Sequence, residues 1–112
     1  MKSISTHVLD VARGKPAHEV PVHLEKKEGQ GFTSLRTAKT DADGRVKDLV
    51  PEGKLEAGTY RLTFDTAAYF GALGVEGFYP EAAVVFVVRD ADAHYHVPLL
   101  LSPFGYSTYR GS

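Results

Sequence analysis

The chain has 112 residues, 43% of them apolar, with 13 Lys and Arg against 14 Asp and Glu and a formal charge of −1. That length fits a single domain, residues 1–112, and a near-neutral balance with no basic stripe argues against nucleic acid as a partner. There is no cysteine, so neither a disulfide framework nor a cysteine-ligated metal site is available.

The N-terminal Met1 to His7 lacks the apolar stretch of about 7–15 residues that a secretory signal needs. A cytoplasmic location is expected, with periplasm and peroxisome left open. Along the chain, turn signals recur and the segments between them alternate. Ile4, Thr6 and Val8 form one face of a first strand, and Ser5, His7 and Leu9 the other. Gly14-Lys15-Pro16 ends it. Val20, Val22 and Leu24 then share a face, opposite Pro21, His23 and Glu25. Pro21 lacks a ladder donor, which predicts an edge strand or a bulge there. Lys26 to Gly31 is a charged turn, and Phe32 to Thr40 reads as a third strand.

Asp41-Ala42-Asp43-Gly44 is a strong turn, because Asp side chains bond local backbone and glycine accepts a positive φ. A short strand is expected from Arg45 to Leu49, then a turn at Pro51-Glu52-Gly53. Gly58 to Asp65 alternates cleanly between Tyr60, Leu62, Phe64 and Arg61, Thr63, Asp65. Thr66 to Leu73 is the one helix predicted, capped by Thr66 and ended by Gly74. Gly77 to Glu81 is a loop. Ala82 to Val88, His94 to Leu101 and Gly105 to Tyr109 complete the strands. Seven or eight short strands with one short helix predict an all-β fold, a two-sheet antiparallel β-sandwich.

Ala82 to Val88 is the longest apolar run, far short of the roughly 18 residues of a membrane span. It has no polar face. Either it is a central strand covered by loops, or a second subunit covers its outer face.

Five histidines carry most of the candidate chemistry, since imidazole titrates near neutral pH. His94 and His96 share one strand face. That pair reads as structural, as two metal ligands, or as a base with a bystander. No Asp or Glu on that face supplies a third ligand. His7 lies with Ser5 and Leu9. Arg45 follows the Asp-Gly turn, where an arginine is commonly a solvated charge; aimed into a pocket, its planar fork suits a carbonyl-rich heterocycle. His18 and His23 read as surface residues. The C-terminus alternates aromatic and hydroxyl residues up to Tyr109, where frayed polar tails are usual. It is an ordinary closing strand or an ordered one that holds Ser112 in a fixed place.

These residues also carry a family resemblance. Ser5-Thr6-His7-Val8-Leu9-Asp10 with Gly14-Lys15-Pro16-Ala17 resembles the N-terminal signature of transthyretin-related proteins. Phe78-Tyr79-Pro80-Glu81 and His94 to Pro103 resemble the C-terminal signature. Tyr109-Arg110-Gly111-Ser112 is similar to the tetrapeptide of the family's 5-hydroxyisourate hydrolase branch, which the hormone carriers lack. The resemblance runs from Ser5 to Ser112. It implies a transthyretin-like β-sandwich of about eight strands, assembled as a homotetramer that is a dimer of dimers, with the sites in the channel between dimers. It implies hydrolysis of 5-hydroxyisourate to 2-oxo-4-hydroxy-4-carboxy-5-ureidoimidazoline in urate breakdown, with no cofactor or metal. Residue by residue it implies catalytic roles for His7, Arg45, His96 and Ser112. His7, Arg45 and Tyr109 would bind substrate. Set against this are a non-catalytic carrier of small ligands, a metal-dependent hydrolase using His7, His94 and His96, and a purely structural domain.

Overall fold

The computed structural model describes residues 3–51 and 53–112; Met1, Lys2 and Glu52, the middle of the expected Pro51–Gly53 turn, lie outside the described residues. Its strands are β1 (Ile4–Asp10), β2 (Lys15–Pro16), β3 (Pro21–Glu28), β4 (Gly31–Lys39), β5 (Arg45–Val46), β6 (Gly58–Phe64), β7 (Ala82–Val88), β8 (Tyr95–Ser102) and β9 (Gly105–Thr108), with one helix, α1 (Thr66–Ala72). One sheet runs β2-β1-β8-β9, with β5 also on β1; the other runs β4-β3-β6-β7. This is the expected two-layer sandwich.

Period-2 burial makes the layers. Ile4, Val8, Val97, Leu99 and Leu101 point inward from the first sheet, and Val22, Leu24, Tyr60, Leu62 and Phe64 from the second. They merge into one hydrophobic cluster. The intervening residues of β1 and β8 face away from the core, and that outer face carries the candidate residues.

The pairing departs from expectation in one way that matters. β1 and β8 run parallel, with Ser5 opposite His96 and His7 opposite Pro98. All other strand pairs are antiparallel. A parallel pair needs a long connection, and nearly the whole chain lies between these two strands.

Two local expectations are corrected, and one of two alternatives is excluded. Pro21 does not mark an edge, because β3 lies between β4 and β6; Pro21 is the strand's first residue, where a missing donor costs little. The bulge falls later, between Leu24 and Glu25. Thr66 does not cap α1. Asp65 does, its carboxylate accepting the Ala68 N–H at 2.9 Å, while the Thr66 hydroxyl donates to the Tyr79 carbonyl. The helix ends as expected near Gly74, whose φ is 69°. Tyr69 ties it to β1 by donating to Asp10 Oδ2 at 2.7 Å. Finally, β7 is not central and covered. It is an edge strand, with Val85 58% and Val87 46% exposed. No helix among the described residues is long and apolar enough to cross a membrane.

The turn before β5 is clamped onto β1. Val8 N–H donates to the Gly44 carbonyl at 2.7 Å, and Gly44 N–H donates to Asp41 at 2.9 Å. Gly44 has φ 77°, and a Cβ there would sit 2.4 Å from the Val8 carbonyl oxygen. Gly44→Ala is therefore expected to cost about 1–3 kcal/mol through strain and the backbone clash. A lowered urea midpoint would register it; an unchanged midpoint would contradict this account of the turn.

Candidate active site

The outer face of the first sheet opens into a cleft of about 500 Å³ lined by Ser5, Thr6, Arg45, Val46, Lys47, His94, His96 and Ser112. Four separate stretches of chain meet there. Each has a local reason for its position.

Arg45 is delivered by the Asp41–Gly44 turn. The Asp41 carboxylate accepts the N–H groups of Asp43 and Arg45, both at 2.9 Å. Those bonds, that to Arg45 first, hold Asp41 below the usual carboxylate value. Arg45 then pairs with His7 across β1 and β5. Its side chain is exposed as a lone arginine would be, yet it forms a wall of the cleft.

His96 and His94 converge on one hydroxyl. Ser5 Oγ lies 2.7 Å from His96 Nδ1 and 2.9 Å from His94 Nε2. The β1/β8 register makes Ser5 and His96 direct partners. His96 is half-buried. Burial lowers its pKa below the ordinary 6.5, and the charges of His7, Arg45 and His94 lower it further. The ring is thus a neutral imidazole at neutral pH, in the form that accepts a proton.

Ser112 is placed by its neighbour. Gly111 N–H donates to the His96 carbonyl at 2.8 Å, forming an isolated bridge. A Cβ on Gly111 would meet His96 Cδ2 at 2.6 Å, so only glycine lets the chain lie against the ring. Arg110 adds a second hold, its guanidinium 4.5 Å from the Tyr95 ring centre.

The structure thus brings Arg45, His96 and Ser112 to one cleft. His7 is not part of its wall; it is half-buried, opposite Arg45, and near enough for its charge to act on His96. Tyr109 is not in this cleft. It lines a separate cavity of about 230 Å³ with Val84, Val85, Phe86 and Val87. Sequence reasoning passed over Ser5, Lys47 and Gly111. Ser5 did share a strand face with His7, but its meaning depends on which strand lies beside it. No group of three or more His, Cys, Asp or Glu among the described residues is arranged to hold a metal ion.

Chemically, the cleft sets a neutral imidazole beside a guanidinium and a hydroxyl. It can take a proton from water while stabilising negative charge on a carbonyl oxygen.

Comparison with known proteins bears on what that chemistry serves. The family model described as HIUase/Transthyretin family matches residues 4–111. A 5-hydroxyisourate hydrolase of Salmonella typhimurium is 50% identical over 109 residues, covering 97% of this chain and 80% of that protein. The structure of Klebsiella pneumoniae 5-hydroxyisourate hydrolase aligns over 100% of both chains, with 38% identity and a TM-score of 0.88. Transthyretin from Sparus aurata aligns over 99% of this chain and 97% of its own, with 36% identity and a TM-score of 0.92.

In an imidazole NMR titration, His96 should titrate below 6.5, and Arg45→Ala should move it back upward. A His96 value at or above 6.5 would refute the electrostatic picture. Between the two pKa values the unfolded chain binds a proton that the folded ring refuses. The contribution of His96 is therefore present above 6.5 and is lost as pH falls through the lowered value.

Proposed function

The chain belongs to the HIUase/Transthyretin family, and we infer, from its 50% identity to a 5-hydroxyisourate hydrolase and from its cleft, that it is a 5-hydroxyisourate hydrolase. The fold alone does not separate enzyme from carrier, because a transthyretin aligns as well as a hydrolase does. The observation that carries the assignment is the meeting of Arg45, His96 and Ser112 in one cleft with His7 at its side. Such polar, proton-handling groups suit a reaction better than passive retention of a ligand.

The reaction opens a cyclic amide. Water adds to the ring carbonyl, the carbon–nitrogen bond breaks, and the nitrogen leaves with a proton. We assign the base to His96, whose suppressed basicity keeps it unprotonated and ready for the water proton. Arg45 faces the carbonyl oxygen and shares its developing charge. His7, which pairs with Arg45 across β1 and β5, returns a proton to the leaving nitrogen. The Ser112 hydroxyl orients water or substrate. The product is 2-oxo-4-hydroxy-4-carboxy-5-ureidoimidazoline. The carrier reading lacks a use for this arrangement.

The proposed working unit is a homotetramer formed as a dimer of dimers. Two features support it. The edge strand β7 turns Val85 and Val87 outward beside a cavity edged by Tyr109, and exposed apolar surface of this kind marks an interface. The outer face of the first sheet, bearing the cleft, is likewise open in one chain. Tyr109 enters the proposal as a substrate contact through this assembly, since one chain does not bring it to the cleft. The domain is taken to span residues 1–112, and the cytoplasm is the proposed compartment, consistent with a chain that has no cysteine to oxidise.

A spectrophotometric assay following loss of freshly made 5-hydroxyisourate above its spontaneous decay tests the assignment directly. His7→Ala, Arg45→Ala and His96→Ala should each lower turnover roughly 100-fold or more, with native circular dichroism. Removing the last four residues should inactivate without unfolding. Activity should fall on the acid side with the His96 titration. Full turnover in all three variants would end the site assignment. For the assembly, the Val85→Glu, Val87→Glu double variant should sediment as a smaller species than the parent tetramer; a parent chain that sediments as a monomer would end that part.

A further inference from the structure

We propose that Ser5 and His94 are positioning residues that form a hydroxyl-bridged relay. The relay holds His96 with its proton on Nδ1, leaving Nε2 as the bare nitrogen in the cleft. This rests on the reading of His96 as the base. The family signatures direct attention to His7, Arg45, His96 and Ser112; the geometry adds Ser5 and His94, which share the cleft wall.

Proton counting fixes the roles of the three groups. Ser5 Oγ lies within hydrogen-bond distance of both rings, 2.7 Å from His96 Nδ1 and 2.9 Å from His94 Nε2. A hydroxyl has a single proton to donate and can accept from another group. Its two lone pairs could accept from both rings, but that would leave its own proton without a protein acceptor, since Ser5 Oγ has no third partner among the described residues. With that proton used, Ser5 donates to one ring and accepts from the other. If Ser5 donates to His94 Nε2, His96 must supply the Nδ1–H, and its Nε2 is free to take a proton. If Ser5 donates to His96 Nδ1, the His96 proton sits on Nε2 and the ring cannot act as base.

Catalysis selects between the two. When His96 takes a proton from water at Nε2, the ring becomes an imidazolium that still bears Nδ1–H. The first arrangement keeps both bonds through that step. The second would have to turn the Ser5 hydroxyl around. No proton crosses the relay: the water proton moves to Nε2, the new carbon–oxygen bond forms, and Ser5 only accepts a stronger hydrogen bond from a now charged donor. Nε2 is also the accessible nitrogen. It has no hydrogen bond, and no side-chain nitrogen or oxygen among the described residues is both buried and unpaired.

The placement of Ser5 follows from the fold. It is buried, only 7% exposed, on the outer face of β1. The parallel register sets it directly across from His96, and His94, two residues earlier, falls on the same side. Removing the hydroxyl leaves both rings without a partner and His96 free to choose its tautomer.

The test is a nitrogen-15 imidazole spectrum of the intact protein at about pH 8, well above the ordinary imidazole value. His96 should show a protonated Nδ1 and a bare Nε2, and His94 a bare Nε2. Ser5→Ala should shift the His96 proton to Nε2 and lower kcat about 100-fold, with KM changed less than about threefold. Ser5→Thr, which keeps the hydroxyl, should restore tautomer and kcat together. His94→Gln, whose carbonyl can accept the same bond, should be milder than His94→Ala. An Nε2–H on His96 in the unaltered protein overturns the proposal, as does a Ser5→Ala enzyme with unchanged tautomer and kcat. Should the unaltered protein show this tautomer but no activity on 5-hydroxyisourate, the relay would stand and the assigned reaction would fall.

Discussion

Everything at the site depends on the parallel pairing of β1 with β8. It joins Ser5 to His96 across 91 residues of sequence and turns two unremarkable strand faces into one functional surface. The Thr6 hydroxyl reinforces it from the core side, donating to the Val97 carbonyl at 2.6 Å. Ile4 and Val8 beneath, with Val97 and Leu99 alongside, anchor the same pair in the core. A slip by one residue would send His96 inward and Val97 out, because side chains alternate along a strand. Core packing thus sets the register, and the register sets the site.

The electrostatics follow from this placement. His96 is half-buried among groups that are cationic or can become so: His7 on β1, Arg45 on β5, and His94 on its own segment. A ring so placed resists protonation. The same surroundings favour negative charge, so in the proposed mechanism the groups that keep this imidazole neutral would also steady an oxyanion. One arrangement would then serve two needs of amide hydrolysis. The dimensions of a single chain also suggest why assembly would matter: the cleft is open on the sheet's outer face, and a water-excluded site strengthens such interactions.

Two glycines show how closely backbone and site are joined. Gly44 allows the turn that carries Arg45 to lie against Val8, and Gly111 allows the C-terminal segment to lie against the His96 ring. Both bring backbone where any side chain would collide. The family's enzymes and carriers share the sandwich. Under the proposed function, the difference in chemistry rests on a few such contacts on one of its outer faces.

Much was legible in the chain itself. The alternation of Tyr60, Leu62 and Phe64 marked a strand and its buried face, and Asp41 to Gly44 marked a turn with a positive φ, because these patterns are local physics. His7, Arg45, His96 and Ser112 were identifiable by their likeness to family signatures. Pro21 and Thr66 misled, each for want of knowing its neighbours: strand order placed β3 inside, and Asp65 won the competition for the cap. The run from Ala82 to Val88 left two readings open, and its edge position excludes the covered central strand. Only the folded chain decided that Ser5 lies between two imidazoles, that Gly111 touches a ring, and that Tyr109 faces another cavity. The physical reason is that periodicity records which way a residue points, whereas partnership across a sheet is settled by non-local packing of the whole core.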